Sequence, residues 1–253
     1  MAGVTAWRLG WLRGSRSVVW PGTDPRDLVR LAIAAIVASP FAAIVGVSMG
    51  ARTGTEPSLM QMLAMTVAAG APPILVWIGF GSWTADRSRP WGPALLAGVV
   101  ASLACWPFLQ LAIDGVSRLQ QAMGGEVAPA LGHTTLEMLR KRSGEPAAWG
   151  LALSAVVIAP VAEEITWRGL VQQAMKRMRL PVPAAIAVTA ALFALIHWSA
   201  LPAAARPGGL VALTLLGTTL GWLTERTGRI ESAMVAHAAF NLANLLLFSM
   251  LPE

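Results

Sequence analysis

The sequence predicts an all-α, polytopic transmembrane helix bundle with about seven (six to eight) membrane helices. Of the 253 residues, 55% are hydrophobic and only 13% are charged, whereas ordinary soluble domains carry about 25% charged residues. The charged residues are also unevenly spread, because long stretches of the chain contain none. A soluble fold of this size would need more polar surface than these residues supply, so that class is excluded.

Seven apolar segments predict the membrane helices: residues 31–50, 60–83, 91–113, 147–164, 182–197, 208–223 and 232–251. A hydrocarbon core of about 30 Å needs roughly 20 apolar residues in a helix. Pro72 and Pro73 interrupt the second segment, where we expect a kink. The fifth and sixth segments are short, so we expect them to tilt little or to lie inside the bundle.

Basic residues lie in the connections between these segments rather than in one patch. The first region, residues 1–30, combines five arginines with three tryptophans, which is typical of a segment lying at the membrane interface. With a cytoplasmic N-terminus, the cytoplasmic connections hold twelve Lys and Arg residues and the external ones six. The positive-inside rule therefore predicts this orientation, with the protein integral to the cell (plasma) membrane and in contact with the lipid bilayer. Because the basic residues are spread over the connections, we expect no nucleic acid as a partner.

Two further regions follow. Residues 31–146 contain the N-terminal membrane helices and a polar loop, in which residues 116–123 predict a short amphipathic helix. Residues 147–253 contain the remaining apolar segments and the polar residues that interrupt them. The single cysteine, Cys105, excludes an intrachain disulfide and a cysteine-rich metal site.

Two adjacent carboxylates, Glu163 and Glu164, end the fourth apolar segment. An ionised group at mid-membrane costs roughly 2.5–3.5 kcal/mol, so such a pair needs compensation. Arg168 lies four residues after Glu164 and shares its helix face, whereas Glu163 is rotated from Glu164 by about 100°. The spacing favours one carboxylate held by Arg168 beside a second that is free to react. Alternatively, the apolar run ends near Ala162 and all three charges lie in the aqueous flank.

Two of the three histidines lie in later apolar segments. His197 shares a helix face with Phe193, and His237 shares one with Asn241, because each pair is four residues apart. Taken singly, His197 could be an interfacial histidine, and His237 with Asn241 could join helices by hydrogen bonds. Taken with the carboxylates, they supply a general base, an imidazole, and amide or imidazole donors for an oxyanion.

These residues form three motifs: Glu-Glu-x-x-x-Arg at residues 163–168, Phe-x-x-x-His at 193–197 and His-x-x-x-Asn at 237–241. In this order on successive apolar helices, the chain resembles the CAAX prenyl protease and bacteriocin-processing family, also called the CPBP or Abi family. The resemblance covers about residues 147–250 and implies that residues 147–253 form the catalytic transmembrane core. It implies an intramembrane endopeptidase whose substrates are membrane-associated peptides or proteins, including lipidated ones.

The resemblance also implies a role for each matching residue. Glu163 is expected to be the general base that activates water, with His197 as its partner. His237 and Asn241 are expected to stabilise the tetrahedral oxyanion. Glu164 and Arg168 are expected to be supports that position Glu163, and Phe193 is expected to pack beside His197.

The sequence leaves metal dependence open. Glu163, His197 and His237 could also form a three-ligand zinc site, and the resembled family is often described as metalloproteases. Against a metal, the chain has no His-Glu-x-x-His motif, and the ligands would come from three separate segments. We favour glutamate-activated water and commit to no cofactor.

Two other functions stay open at this level. A non-catalytic membrane scaffold or bacteriocin-immunity protein would use the same cavity to bind a peptide. A small transporter would relay protons through intramembrane Glu and His side chains. The complete motif set favours catalysis over binding, and the absence of an internal sequence repeat disfavours transport.

Overall fold

The computed structural model describes residues 24–48, 58–80, 91–126, 139 and 144–249. Most of these residues form seven helices: α1 (Pro25–Ser48), α2 (Leu59–Phe80), α3 (Trp91–Ala122), α4 (Pro146–Arg177), α5 (Val182–Ile196), α6 (Arg206–Thr227) and α7 (Ile230–Ser249). By length and composition, α2, α3, α4, α6 and α7 can cross a membrane, and α5 is a shorter apolar helix. The predicted fold class, a polytopic helical bundle, is confirmed.

Two predicted boundaries are wrong. The predicted amphipathic helix at residues 116–123 is not a separate element, because α3 continues without interruption to Ala122. The sixth segment is not short, since α6 has 22 residues and continues past Leu223 to Thr227. Polar residues extend α6 because they have partners on other helices, as the ion pair of Glu225 with Lys176 shows.

Other predictions have different outcomes. The fifth segment is short as predicted, because α5 has 15 residues. The second passes through Pro72 and Pro73 as one helix. Within the predicted interfacial segment, residues 25–30 form the start of α1, and residues 1–23 lie outside the described residues.

Helix α4 is the central element of the packing, because it contacts α1, α2, α5, α6 and α7. One apolar cluster joins α1, α4 and α5 through residues such as Leu28, Trp167 and Phe193. A second joins α3, α6 and α7 through residues such as Leu109 and Ala233. Dispersion contacts of this kind hold helices together inside a bilayer, where lipid tails are as apolar as the side chains.

Contacts between helix termini define two ends of the bundle. At one end, the guanidinium of Arg229, just before α7, lies 5.1 Å from the ring centroid of Trp91 at the start of α3. At the other end, Gln120 of α3 donates a hydrogen bond to the carbonyl of Ala204, just before α6 (3.2 Å). The start of α3 and the end of α6 therefore share one end, as expected for helices that cross a bilayer in turn.

The turn between α6 and α7 places the last helix beside α6. Gly228 has φ +70°, in the left-handed region that favours glycine. Its N–H donates to the carbonyl of Thr224 (2.8 Å) and so closes the end of α6. Because α7 begins at Ile230, the two helices run antiparallel, and His237 lies two turns into α7.

Candidate active site

Helix α4 is not a uniform α-helix. Two π-helical pieces, Ser154–Ile158 and Ile165–Val171, alternate with its α-helical pieces. The α-helical piece Ala159–Glu164 lies between them, and the two adjacent glutamates are its last residues. Such π-helical turns are rare and frequently occur at functional sites. The paired carboxylates therefore lie between two departures from regular α-helical geometry.

Glu164 and Arg168 form an ion pair inside the protein rather than in an aqueous flank. Arg168 Nη1 donates to Glu164 Oε1 at 2.9 Å, and neither side chain has any exposed surface. Arg168 Nη2 donates to the carbonyl oxygen of Gly217 on α6, also at 2.9 Å. A buried charge is tolerated when its partners replace the lost water, and these two contacts do so for both terminal nitrogens of Arg168. Among the described residues, its Nε has no hydrogen-bond partner.

His237 lies between the two carboxylates. Its Nδ1 is 2.9 Å from Glu164 Oε1, and its Nε2 is 3.9 Å from Glu163 Oε2. An ionised carboxylate only accepts hydrogen bonds, so Nδ1 donates to Glu164. The imidazole thereby connects α7 to both adjacent glutamates of α4.

Glu163 differs from its neighbour in both exposure and partners. Its side chain is 28% exposed, whereas that of Glu164 is fully buried. Among the described residues, Oε2 of each glutamate is buried without a hydrogen-bond partner, but Oε1 of Glu164 accepts from Arg168 and His237. Glu163 is therefore the carboxylate that a water molecule or substrate can reach, and Glu164 is the one held by the protein.

Phe193 packs among the charged groups and links the last turn of α5 to them. Its ring is fully buried and its centroid lies 4.9 Å from that of His197 and 5.8 Å from that of His237. The guanidinium carbon of Arg168 lies 4.9 Å from the same ring, within the range of a cation–π contact. Phe193 therefore packs beside His197, as the motif implies.

His197 marks the end of α5, which stops at Ile196. Its Nδ1 is 2.7 Å from the carbonyl oxygen of Phe193, one turn earlier in the same helix. Within the described part of the chain, no hydrogen bond or ion pair joins His197 to Glu163. His237, rather than the expected His197, thus contacts the carboxylates. His197 is connected to His237 through the ring of Phe193.

Asn241 lies one turn after His237 on α7 and contacts α4. Its Nδ2 donates to the carbonyl oxygen of Ala155 at 2.8 Å, within the first π-helical piece. A π-helical turn disturbs the regular backbone ladder, which explains why a carbonyl there accepts from a side chain. Asn244, one turn further, accepts a hydrogen bond of 3.4 Å from Trp106 Nε1 of α3.

Sequence reasoning did not identify three polar contributors near the site. They are the carbonyl of Gly217, the buried amide of Gln172, and Glu225, which accepts from Gln172 Nε2 at 2.9 Å. One signal was available, since Arg168, Gln172 and Lys176 repeat every four residues and therefore share a helix face. Their partners lie about 50 residues away, and no local pattern points to them.

The possible zinc ligands do not come together as a metal site. Among the described residues, no group of three or more His, Cys, Asp and Glu side chains could hold a metal ion. His237 Nδ1 contacts Glu164, and His197 Nδ1 contacts a backbone carbonyl. The set Glu163, His197 and His237 therefore does not fit a metal as it stands, and the mechanism below uses none.

Residues 145–243 match the family model described as Type II CAAX prenyl endopeptidase Rce1-like. Over these residues, which we call the Rce1-like segment, the chain is similar to that family. The match confirms the resemblance to the CAAX protease family and includes all six candidate residues of the site. Comparison with curated proteins and with solved structures gave no match.

At the level of the family, the match supports a CAAX-type intramembrane endopeptidase. The apolar helices place the chain in a lipid bilayer as an integral membrane protein. Membrane-associated substrates agree with both observations. The Rce1-like segment coincides with the part of the bundle in which the buried charged residues of α4, α6 and α7 meet.

Proposed function

We propose that this protein is an intramembrane endopeptidase in which Glu163 activates water to hydrolyse a peptide bond of a membrane-associated substrate. One observation carries the proposal: the partly exposed Glu163 adjoins the fully buried Glu164, which is already held by Arg168 and His237. The Glu164 carboxylate is thereby held in place through Oε1, whereas the partly exposed Glu163 is left to meet a water molecule or substrate.

The reaction starts at Glu163. Its carboxylate takes a proton from water while the water oxygen forms a bond to the scissile carbonyl carbon. The carbonyl electron pair moves to oxygen and gives a tetrahedral oxyanion. Collapse of this intermediate breaks the C–N bond, and the proton taken by Glu163 passes to the leaving amine.

His237 and Asn241 stabilise the oxyanion in this proposal. His237 Nε2 lies on the Glu163 side of the ring, 3.9 Å from Glu163 Oε2, and is the ring nitrogen that would donate to the oxyanion. Asn241 uses one amide hydrogen on Ala155 and retains a second for the substrate. His197, at the end of α5, orients the water or the substrate on the Phe193 side of Glu163. Preorganised donors of this kind typically contribute about 2.7–4 kcal/mol each.

The proposal is tested with purified protein in lipid vesicles. A peptide with a C-terminal prenylated cysteine motif and the same peptide without the prenyl group are incubated with the protein. We expect mass spectrometry to detect a released C-terminal fragment, and we expect none with the Glu163→Ala variant. Binding of the peptide without cleavage by the wild-type protein would instead support the scaffold or immunity function.

We also propose that the end of the bundle containing Arg229 faces the cytoplasm. Basic residues concentrate near this end, in the α4–α5 turn and the α6–α7 turn: Lys176, Arg177, Arg179, Arg226 and Arg229. Glu163 lies about 20 Å from the end of α4 at 1.5 Å per residue. The site would therefore open within the middle to cytoplasmic half of the bilayer.

Cysteine labelling tests this orientation. Met178 in the α4–α5 turn and Met123 after the end of α3 are both exposed. In a Cys105→Ala background, a membrane-impermeant thiol reagent should label Met178→Cys from the cytoplasmic side and Met123→Cys from the external side. The reverse pattern would invert the orientation and leave the catalytic proposal intact.

A further inference from the structure

Helices α4 and α6 are joined by polar contacts at a constant sequence separation. Arg168 Nη2 donates to the carbonyl of Gly217 at 2.9 Å, and the two residues are 49 apart. One turn further along both helices, Gln172 Nε2 donates to the carbonyl of Gly221 at 3.3 Å, again with a separation of 49. A constant separation means that the helices run parallel, with each turn of α4 facing one turn of α6.

The same series continues to the end of both helices. Lys176 Nζ lies 2.7 Å from Glu225 Oε2, and this pair is also separated by 49 residues. The Gln172 amide reaches the same carboxylate, because its Nε2 is 2.9 Å from Glu225 Oε1. Gln172 is fully buried, so it connects the ion pair at the helix ends to the turn that carries Arg168.

Two of the four glycines of α6, Gly217 and Gly221, make this close approach possible. A Cβ atom at Gly217 would lie 3.0 Å from the backbone of Ala190 on α5 and 3.4 Å from Arg168 Nη2. A Cβ atom at Gly221 would lie 2.8 Å from Gln172 Oε1. Small residues four apart let helices approach closely inside a membrane. Here the free space is used by polar side chains of α4.

We propose that Gln172 is a positioning residue for the active site, and this inference rests on the proposed function. It fixes the register of α4 against α6, and through it the position of Arg168. Arg168 in turn holds Glu164 Oε1, the atom to which His237 Nδ1 donates. Arg168 lies within the π-helical turn Ile165–Val171, which separates it from the regular helix that follows. If Gln172 is removed, the single contact to Gly217 is what still fixes the Arg168 guanidinium on α6.

The test replaces Gln172 and observes His237 directly. The chain contains three histidines, so selective ¹⁵N labelling of histidine gives few ring signals, and the His237→Asn variant assigns one set. In Gln172→Met, which keeps side-chain length and removes the amide, we expect the His237 Nδ1 resonance to shift. We also expect kcat to fall at least about tenfold with little change in KM, because displacement of reacting groups by about 1 Å can cost 100-fold.

A second variant and a matched control keep the test decisive. Gly221→Ala displaces the same amide without changing Gln172 and should shift the same resonance. Thr224→Val is the control, because Thr224 is fully buried on α6 and, among the described residues, its hydroxyl donates only to the carbonyl of Leu220 in its own helix. Folded Gln172→Met and Gly221→Ala variants with unchanged His237 signals would overturn the inference, as would an equal shift in Thr224→Val.

The ring signals do not depend on proteolysis. If wild-type protein cleaves no peptide but Gln172→Met still shifts the His237 resonance, the proposed function fails and the register role of Gln172 survives. If cleavage is observed and Gln172→Met leaves both kcat and the resonance unchanged, the register role fails and the protease proposal survives.

Discussion

Two ion pairs of the same chemistry lie in very different parts of the molecule. On α1, Arg30 Nη1 lies 3.0 Å from Asp27 Oδ1, and the side chains are 77% and 52% exposed. On α4, Arg168 Nη1 lies 2.9 Å from Glu164 Oε1, and both side chains are fully buried. The two distances are nearly identical, but the two pairs differ in what the loss of one partner costs in stability. Water screens the first pair, whereas protein groups must replace water around the second.

The contrast extends to the two halves of the bundle. Among the described residues of α1, α2 and α3, Ser102 is the one buried polar side chain, whereas residues 144–249 contain all the buried charged ones. The N-terminal helices thus bury apolar surface, and the Rce1-like segment also encloses charge. A membrane protein tolerates enclosed charge at a cost, and such groups are by default candidates for function.

The largest expected effect of a substitution on stability comes from removing the buried cation. Arg168→Ala leaves Glu164 without its arginine in a dry interior, which typically costs about 3–5 kcal/mol. We expect a large loss of the free energy of unfolding, measured by reversible denaturation in mixed micelles, together with loss of cleavage. Arg30→Ala is the matched control and should change little, because exposed pairs contribute little. Equal stability of the two variants would contradict the difference between the pairs.

Two glycine substitutions should cause a smaller loss of stability, and comparing them distinguishes packing at the site from packing elsewhere in the bundle. A Cβ atom at Gly217 would press against the backbone of Ala190 and against Arg168. A Cβ atom at Gly98 of α3 would lie 2.5 Å from the carbonyl oxygen of Ser232 on α7. Overpacking typically costs about 1–3 kcal/mol, so Gly217→Ala and Gly98→Ala should both lower the melting temperature.

Only Gly217→Ala should also reduce cleavage per folded molecule, because only Gly217 accepts a hydrogen bond from Arg168. The measurement is kcat at a temperature where both variants remain folded. An equal loss of kcat in Gly98→Ala would mean that the site responds to any disturbance of the bundle.

The smallest expected effect follows removal of metal. The Glu163, His197 and His237 side chains do not converge as ligands in the described structure. We therefore expect exhaustive chelation to leave the cleavage rate unchanged, and elemental analysis of purified protein to give substoichiometric zinc. Stoichiometric zinc that disappears in His197→Ala would replace glutamate-activated water by metal-activated water.

Much of the fold could be predicted from the sequence, because the length of an apolar run alone indicates a membrane helix. Inside a bilayer, the backbone N–H and C=O groups must bond one another, and a helix achieves this within one segment. The pairing of Glu164 with Arg168 was also readable, since spacing by four places both on one helix face. The end of α6 was misplaced because Glu225 is polar, and only its partner Lys176 on α4 explains its burial. Run length cannot anticipate such an interhelical pair.

The internal geometry of the site was less accessible. The π-helical pieces on both sides of Glu163 and Glu164 have no local signature, since their residues would equally suit a regular helix. The contact of His237 with Glu164 depends on how α7 packs against α4, and periodicity within either helix does not encode it. The motifs thus identified the residues of the site, and tertiary packing decides which of them meet.

The most direct test of the proposed chemistry is the cleavage rate of Glu163→Gln, a substitution that preserves shape and removes the basic carboxylate. We predict that kcat/KM falls at least about 100-fold, the scale of general-base catalysis, while the midpoint of unfolding stays near that of the wild type. Glu126→Gln, at an exposed position after α3, should cleave normally. Near-normal cleavage by a folded Glu163→Gln variant would contradict the assignment of Glu163 as the base.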